Sequence, residues 1–596
     1  MKEKALQGGE FLIRDAKAED IFVPEEFNEE QLMIAQTCKD FLESEVYPVA
    51  DRLDEHEEGL MPQILKKAGE MGLLGVSIPE EYGGFGQDFV TSMLTSDSMG
   101  AGYSFSVAFS AHTGIGSLPI MYYGNEEQKQ KYLPKLATGE WLGAYALTEP
   151  GAGSDANSGT TRATLSEDGK YWILNGQKMW ITNSGFADVF TVFAKIDNDR
   201  VLSAFIVEKD TPGFTLGAEE NKMGIRGSST RQLFFSDAKI PVENLLGKRG
   251  QGFRIALNIL NLGRIKLGAN VIGAAKRGIN FSVQYANERK QFRALLSSFT
   301  GIKYKLAEQV VRAFANESAV YRISKNIEDA VQMYIDEGKD KGQANVDAQR
   351  NFVIEAALIK VYGSEMLDFV VDEGVQIHGG MGFSAETEIE RMYRDSRINR
   401  IFEGTNEINR MVVSDTLLKK GMKKEIELLP ETEKVWEEYK NLPQNQQFAD
   451  EYYQRTQQYI KNFKKATLLM SKLAMDKLGR KLSREEEILF NLADMMMQTH
   501  VAESTKLRIE KMDKVLGIMP IEIYRDILDV LLYESAQRIR NAAMDEIMAI
   551  ADENEQKDLL AAISYYTSVR SFDLLGARRR IADKLIEENH WTFSNY

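Results

Sequence analysis

Apolar residues recur at helical spacing from the first structured stretch of the chain. Asn28 followed by Gln31 gives an N-cap signature, and Leu32, Cys38, Phe41, Leu42 and Val46 then recur with the helical period. Pro62 opens a second predicted helix that Gly72 can close, residues 76–86 (VSIPEEYGGFG) read as a loop, and helix-compatible stretches continue to about residue 138. After Trp141 the pattern shortens to apolar or aromatic runs separated by turn residues: GAYAL, YWILNG, KMWITNSG, VFTVFAKI, LSAFIVE and RQLFFSDAKIP. That texture predicts a β domain over residues 143–245. From Gly252 the long period returns and predicts helices over 252–288, 301–336 and 346–378, with Gly379 and Gly380 as punctuation. Residues 421–450, rich in Lys, Glu, Gln, Asn and Pro, read as a linker, and 451–590 are again helical and strongly charged. The expected organisation is multidomain α+β: an N-terminal helical domain (1–142), a middle β domain (143–250), a long-helix domain (251–420), the linker (421–450) and an additional C-terminal helical extension (451–596).

Composition narrows the function. A chain of 596 residues that is 43% hydrophobic buries large cores. Its formal charge of -16 and pI near 5.2 oppose nucleic-acid binding, so any anionic ligand needs specific Arg or Lys contacts. The single Cys38 rules out an internal disulfide framework, and five scattered histidines offer no zinc-ligand spacing, so no metal is expected. Redox chemistry here would require an imported cofactor. The start MKEKALQGGEFLIRDAKAED is charged throughout, and no run approaches the roughly 18 apolar residues that span a bilayer. These features predict a cytoplasmic, bacterial-type protein.

Several segments carry candidate chemistry. TEPGAGSDA (148–156) places Gly151, Gly153 and Ala156 in dinucleotide-turn spacing, but the following NSGTTRATLSEDGKYWIL looks like strands rather than the helix a Rossmann turn opens. The segment instead offers Thr148, Ser154 and free backbone N–H groups to a polar ring edge or a phosphate. KMWITNSG sets Trp180 beside Thr182, a flat apolar surface next to a hydroxyl, although a lone tryptophan more often lies in a core. In RINRIFEGTNEINR, Glu403 stands between Phe402 and Gly404, a setting that can desolvate a carboxylate and leave it approachable. Among 89 acidic residues, spacing alone does not single it out.

Taken in order, YALTEPGAGSD, KMWITNSG, NLGRIKLGANVIG, YANERKQF, VQIHGGMGF and RIFEGTNEI resemble the acyl-CoA dehydrogenase family over residues 28–420, most closely its very-long-chain type with a C-terminal helical extension. The resemblance implies a C-terminal four-helix domain over 251–420 and FAD lying extended beside the β domain. It implies that Tyr145, Leu147, Thr148, Gly153 and Ser154 line the flavin and the pantetheine entrance, and that Trp180, Ile181 and Thr182 meet the flavin edge. Arg289 and Phe292 match contacts to FAD from a neighbouring subunit, completed by Gln376, Gly379 and Gly380; Thr405 and Glu407 match cofactor contacts, although the family commonly has Gln or Asp at the latter. Ser154, Asn261, Phe402 and Gly404 fall beside the substrate, and Arg264 matches a residue that contacts the CoA nucleotide.

The resemblance further implies that Glu403 takes the α proton of a fatty acyl-CoA while the β hydrogen leaves as hydride to the flavin. The thioester carbonyl would accept hydrogen bonds from the Glu403 N–H and a ribityl hydroxyl. Electrons would pass to an electron-transfer flavoprotein in fatty acid β-oxidation. A base in this late loop favours straight chains, and small Ala108, Ser110 and Ala111 leave room for long ones. The extension implies a homodimer, with possible peripheral membrane contact through YYQRTQQYIKNFKKATLLM (452–470). Two alternatives remain open at this stage: an acyl-CoA oxidase that uses oxygen, and a scaffold or assembly protein on a dehydrogenase core.

Overall fold

Asn28 makes the N-cap its spacing announces: its Oδ1 accepts from the Gln31 N–H at 2.9 Å, and the Gln31 side chain accepts from the Asn28 N–H at 3.1 Å. The Glu29–Phe41 helix follows. The structure, a computed structural model, describes residues 6–594 and 596. Helices Leu60–Glu70, Phe89–Met99, Tyr103–Ala111 and Glu126–Thr138 complete the N-terminal layer.

The β region forms one eight-stranded sheet: β1 (Gly143–Ala146), β2 (Arg162–Leu165), β3 (Tyr171–Thr182), β4 (Val189–Ile196), β5 (Ser203–Glu208), β6 (Phe214–Glu219), β7 (Thr230–Pro241) and β8 (Leu245–Leu246). The strand order is β6-β7-β3-β2-β4-β5-β8, with β1 parallel to β4. VFTVFAKI in β4 is buried along its whole length, which explains a continuous apolar run where an exposed strand would alternate. β3 and β7 are long and antiparallel, with a register shift between Lys178 and Ile181.

The Gly252–Glu288 helix spans about 55 Å at 1.5 Å per residue and packs along Val353–His378 and Thr300–Asp336. The predicted helix 346–378 is in fact two, Lys341–Asn351 and Val353–His378. The Asn351 carbonyl is taken by Lys420 Nζ at 2.9 Å, and Gly8 lies so close to it that a Cβ there would clash. The expected linker also needs correction. Residues 421–450 contain the helix Leu428–Glu438, which buries Leu428, Thr432 and Val435 and packs on Tyr452–Leu478.

The extension is no separate bead. One hydrophobic cluster runs from Ile265, Val310 and Leu358 into Leu469, Met496 and Ile527. In the segment suggested for membrane contact, Tyr453, Tyr459, Ile460 and Phe463 all face this core, so its apolar face is already covered. Among the described residues, no helix is long and apolar enough to cross a membrane.

Candidate active site

Glu403 sits on the turn between the short helix Arg397–Arg400 and the helix Asn406–Met422. Glu403 and Gly404 both take left-handed backbone conformations, φ +58° and +83°. For a residue with a side chain that conformation is strained, and it persists only where surroundings hold it. Here three side chains hold it. Arg264 Nε donates to the Glu403 carbonyl at 3.2 Å, Lys360 Nζ donates to the Gly404 carbonyl at 2.8 Å, and Asn409 Nδ2 donates to the Gly404 and Thr405 carbonyls at 2.8 and 3.0 Å. Thr405 caps the following helix by accepting from the Ile408 N–H at 3.3 Å.

The carboxylate itself is laid against the Gly252–Glu288 helix at Gly263, where a Cβ would stand 2.7 Å from Oε2. Although the residue as a whole is half-buried, Oε2 is closed to solvent and hydrogen-bonds to nothing. Burial pushes the Glu403 carboxyl up to about 7, against the opposing pull of Arg264 and Lys360. That is the description of a base poised near neutrality. Arg264 departs from expectation. It is buried, drawn down to about 10 by desolvation, and donates to Asn261 at 2.8 Å, so it lies behind the Glu403 turn rather than reaching outward to a nucleotide. Asn261 is likewise buried as its acceptor, and Phe402 is half-buried against the main cluster. Glu407 is exposed, its carboxyl held low by its own backbone N–H in the first helical turn.

The sheet approaches the same place. Tyr145 on β1 is buried, its hydroxyl 3.5 Å from the Ala256 carbonyl; burial, reinforced by the nearby Glu403 charge, keeps the phenol protonated. At the β3–β7 register shift Trp180 has φ +60° and is 53% exposed, while its neighbour Ile181 turns inward at 2%. A β-bulge re-aims a side chain in this way, so the tryptophan lies outside the core. Thr182 is half-buried beside it, and Asn183 ties this strand to the N-terminal layer by donating to the Ala108 carbonyl at 2.9 Å. Opposite, Leu147 is buried, Thr148 half-buried, and Gly153 and Ser154 exposed, with open space around Gly153. An exposed indole, hydroxyls and an unobstructed glycine turn are a fitting set for a flavin ring and its polar edge.

The remaining cofactor candidates lie elsewhere. Arg289 and Phe292 are exposed at the far end of the Gly252–Glu288 helix, Phe292 by 90%. Gln376, Gly379 and Gly380 are exposed at the end of Val353–His378, alongside them, where the Tyr285 and His378 rings stack at 4.2 Å. By helix rise, Arg289 is about 39 Å from Gly263. One chain thus presents two sets of residues separated by most of the length of one helix.

Sequence reasoning passed over Gly263, Asn409 and Lys360. Lys360 had a signal: a lysine inside the apolar run AALIKVYG, where a charge must find partners. It also passed over the buried pair Lys178–Glu149, 2.7 Å apart beneath the Thr148–Ser154 turn.

Comparison with known proteins agrees with this geometry. Acyl-CoA dehydrogenase N-terminal, middle and C-terminal domain models match residues 28–140, 144–238 and 250–418, and a further acyl-CoA dehydrogenase C-terminal domain model matches 462–564. A probable acyl-CoA dehydrogenase of Bacillus subtilis is 44% identical over 586 residues, covering 98% of each chain. The crystal structure of an acyl-CoA dehydrogenase complexed with FAD from Bacillus anthracis superposes with a TM-score of 0.96 at 46% identity, covering 99% of this chain and 100% of that one. The mitochondrial short-chain specific acyl-CoA dehydrogenase of Homo sapiens is 39% identical over 404 residues, 67% of this chain and 92% of its own.

Proposed function

The chain belongs to the acyl-CoA dehydrogenase family of flavin-dependent oxidoreductases, and from that premise we propose that it dehydrogenates straight-chain fatty acyl-CoA between the α and β carbons, with FAD as cofactor and Glu403 as base. The observation that carries the assignment is the Glu403 carboxylate: buried, unpaired at Oε2, and pushed up to about 7 on a turn that meets the sheet at Tyr145.

Trp180, Thr182 and the Thr148–Ser154 turn would hold the flavin, which when bound supplies the acceptor for the β hydrogen. Glu403 takes the α proton. Among the described residues its backbone N–H donates to no protein acceptor, which leaves it free to bind the thioester oxygen as enolate charge develops there. A carboxyl near 7 is about half ionised, and so available as a base, at neutral pH and, once protonated, is not stranded as a buried charge. Arg264 and Lys360 keep the turn in register with the Gly263 wall.

Substrate length, electron acceptor and assembly are finer parts of the same reading. The long-chain preference rests on the resemblance to the very-long-chain type, since the cavity between Ala101, Tyr103, Ile225, Leu367, Met392 and Asn399 measures only about 50 Å³ and holds no acyl tail as it stands. The separation of Arg289 and Gln376 from the Glu403 turn along the Gly252–Glu288 helix suits a homodimer in which they serve the partner's cofactor. The family's chemistry suits an electron-transfer flavoprotein as acceptor.

The test is an anaerobic titration of the purified flavoprotein with acyl-CoAs from butyryl to stearoyl, alongside Glu403→Gln. Flavin bleaching is expected to be fastest with the longer chains and to slow by about 10³-fold in the variant. Equal bleaching by Glu403→Gln would refute the base assignment, and an optimum at butyryl would refute the long-chain reading. Reoxidation by electron-transfer flavoprotein but not by dissolved oxygen would separate a dehydrogenase from an oxidase.

A further inference from the structure

Two consecutive carbonyls in the Glu403 turn are each claimed by a basic side chain from a different helix. Arg264 reaches the Glu403 carbonyl from the Gly252–Glu288 helix, and Lys360 reaches the Gly404 carbonyl from Val353–His378. Lys360 is fully buried, and its amine makes a second short bond, 2.7 Å to Asn406 Oδ1. Asn406 is the first residue of the helix that follows the turn, and its own amide donates to Ser364 Oγ at 3.1 Å and to Glu365 Oε1 at 3.0 Å. The one amine therefore pins both ends of the segment from Gly404 to Asn406. The carboxylate of the same turn rests against Gly263.

We propose that Lys360 is a positioning residue for proton abstraction: by holding the Gly404 carbonyl and Asn406, it keeps Glu403 in its left-handed conformation, with the carboxylate against Gly263 and the backbone N–H turned to the substrate. The inference rests on Glu403 being the base. An amine donates to both acceptors whether or not it is charged, so the clamp does not depend on its own protonation state. Its charge adds a second effect. The charges that act on Glu403 are Arg264 and Lys360 from the two helices, and Glu403 in turn acts on Tyr145 of β1, while Glu403, Arg264, Glu407 and Glu365 act on Lys360. Both cations oppose the burial that raises the Glu403 carboxyl. Burial likewise draws Lys360 down to about 7, so the two groups titrate in the same range.

The experiment uses the full-length holoenzyme with Lys360→Met, which keeps the stem and loses the donor, and Lys360→Gln, which keeps an N–H donor without charge. Proton abstraction is read directly as exchange into D2O of the α hydrogens of an acyl-CoA analogue with sulfur in the β position, which has no β hydrogen to lose. Flavin content, thermal melting and analogue Kd are measured in parallel. For Lys360→Met the expected result is unchanged flavin content, a Kd within about threefold of the parent, exchange slower by about 10- to 100-fold, and a pH midpoint higher by about one unit. Lys360→Gln is expected to recover part of the rate. Unchanged exchange and midpoint in Lys360→Met would overturn the proposal, as would a loss of exchange that only tracks lost flavin and lower melting in both variants. Glu403→Gln is the control: exchange at the parent rate there overturns the base assignment itself, whatever Lys360 does.

Discussion

Glu403 is one of 89 acidic residues, and what sets it apart is where its carboxylate ends up. The motif RIFEGTNEI located the residue, and its neighbours Phe402 and Gly404 suggested a carboxylate that could be desolvated yet approachable. Neither revealed that the side chain would lie against a glycine on another helix with one oxygen unpaired. Its titration has a stability consequence of definite sign. A carboxyl raised to about 7 in the folded protein binds a proton that the unfolded chain has already released, so Glu403 destabilises the fold increasingly as pH rises from about 4.5 to about 7. Glu403→Gln should therefore raise stability by about 1–3 kcal/mol at pH 8 and by clearly less at pH 5. Chemical denaturation at the two pH values checks this; a gain that is larger at the lower pH would contradict the desolvated-carboxylate account. Lys360 shows the converse difficulty. Its apolar neighbours mark it as a lysine that needs partners, but the partners are the Gly404 carbonyl and the Asn406 side chain, 44 and 46 residues away in sequence.

At the scale of elements, hydrophobic periodicity located the long pieces well. The Gly252–Glu288 helix begins and ends where its pattern does, and the six apolar runs fall on five strands, YWILNG and KMWITNSG joining in one long β3, while β2, β6 and β8 had no run of their own. The misses share a cause: tertiary contact overrode local preference. The helix break at Phe352 follows from capture of the Asn351 carbonyl by Lys420, and Leu428–Glu438 is a short helix stabilised by packing on its neighbour rather than by a strong pattern of its own. Trp180 is turned outward at a register shift in β3, where residue type alone favours the core and the family resemblance favours the flavin edge. Beneath the facing turn, Lys178 and Glu149 form a buried pair in which Glu149 also accepts from the Thr160 and Thr161 N–H groups. Lys178 additionally donates to the Leu147 carbonyl at 3.2 Å. Lys178→Met leaves that carboxylate buried without its cation, and is expected to cost about 3–5 kcal/mol and to weaken FAD retention. A melting curve with flavin release followed by fluorescence tests it, and wild-type values for both would refute the structural role of the pair.

The whole molecule is joined by contacts no local reading could supply. Residues 10–26 form three short 3-10 turns that dock on the Glu486–Lys514 helix of the extension. At that junction Arg508 is fully buried and bridges Glu25 at 2.5 Å and Glu317 at 2.7 Å, joining the first turns, the Thr300–Asp336 helix and the extension. The Arg508 and Lys276 charges hold the Glu317 carboxyl down to about 2 despite its burial. Arg410, on the helix that follows the Glu403 turn, reaches Asp494 of the extension at 2.7 Å, so the base loop and the extension share a strut. Arg508→Met leaves two buried carboxylates without their shared cation, and a loss of about 3–5 kcal/mol is expected by thermal or chemical denaturation. A change below about 1 kcal/mol would show that the junction is held by its apolar contacts alone.

The sequence by itself determined the helix–sheet–helix order, the two glycine-rich turns, the need for an imported cofactor and, through six motifs in series, the family. These are local properties: period, turn chemistry and residue type are written along the chain and need no partner. Only the tertiary structure decided that Glu403 is desolvated against Gly263, that Arg264 and Lys360 hold its turn, that Trp180 is exposed, and that the extension is continuous with the core. Each of those depends on which groups, distant in sequence, are brought within a few ångströms, because desolvation, ion pairing and steric fit act across space and leave no periodic trace along the chain.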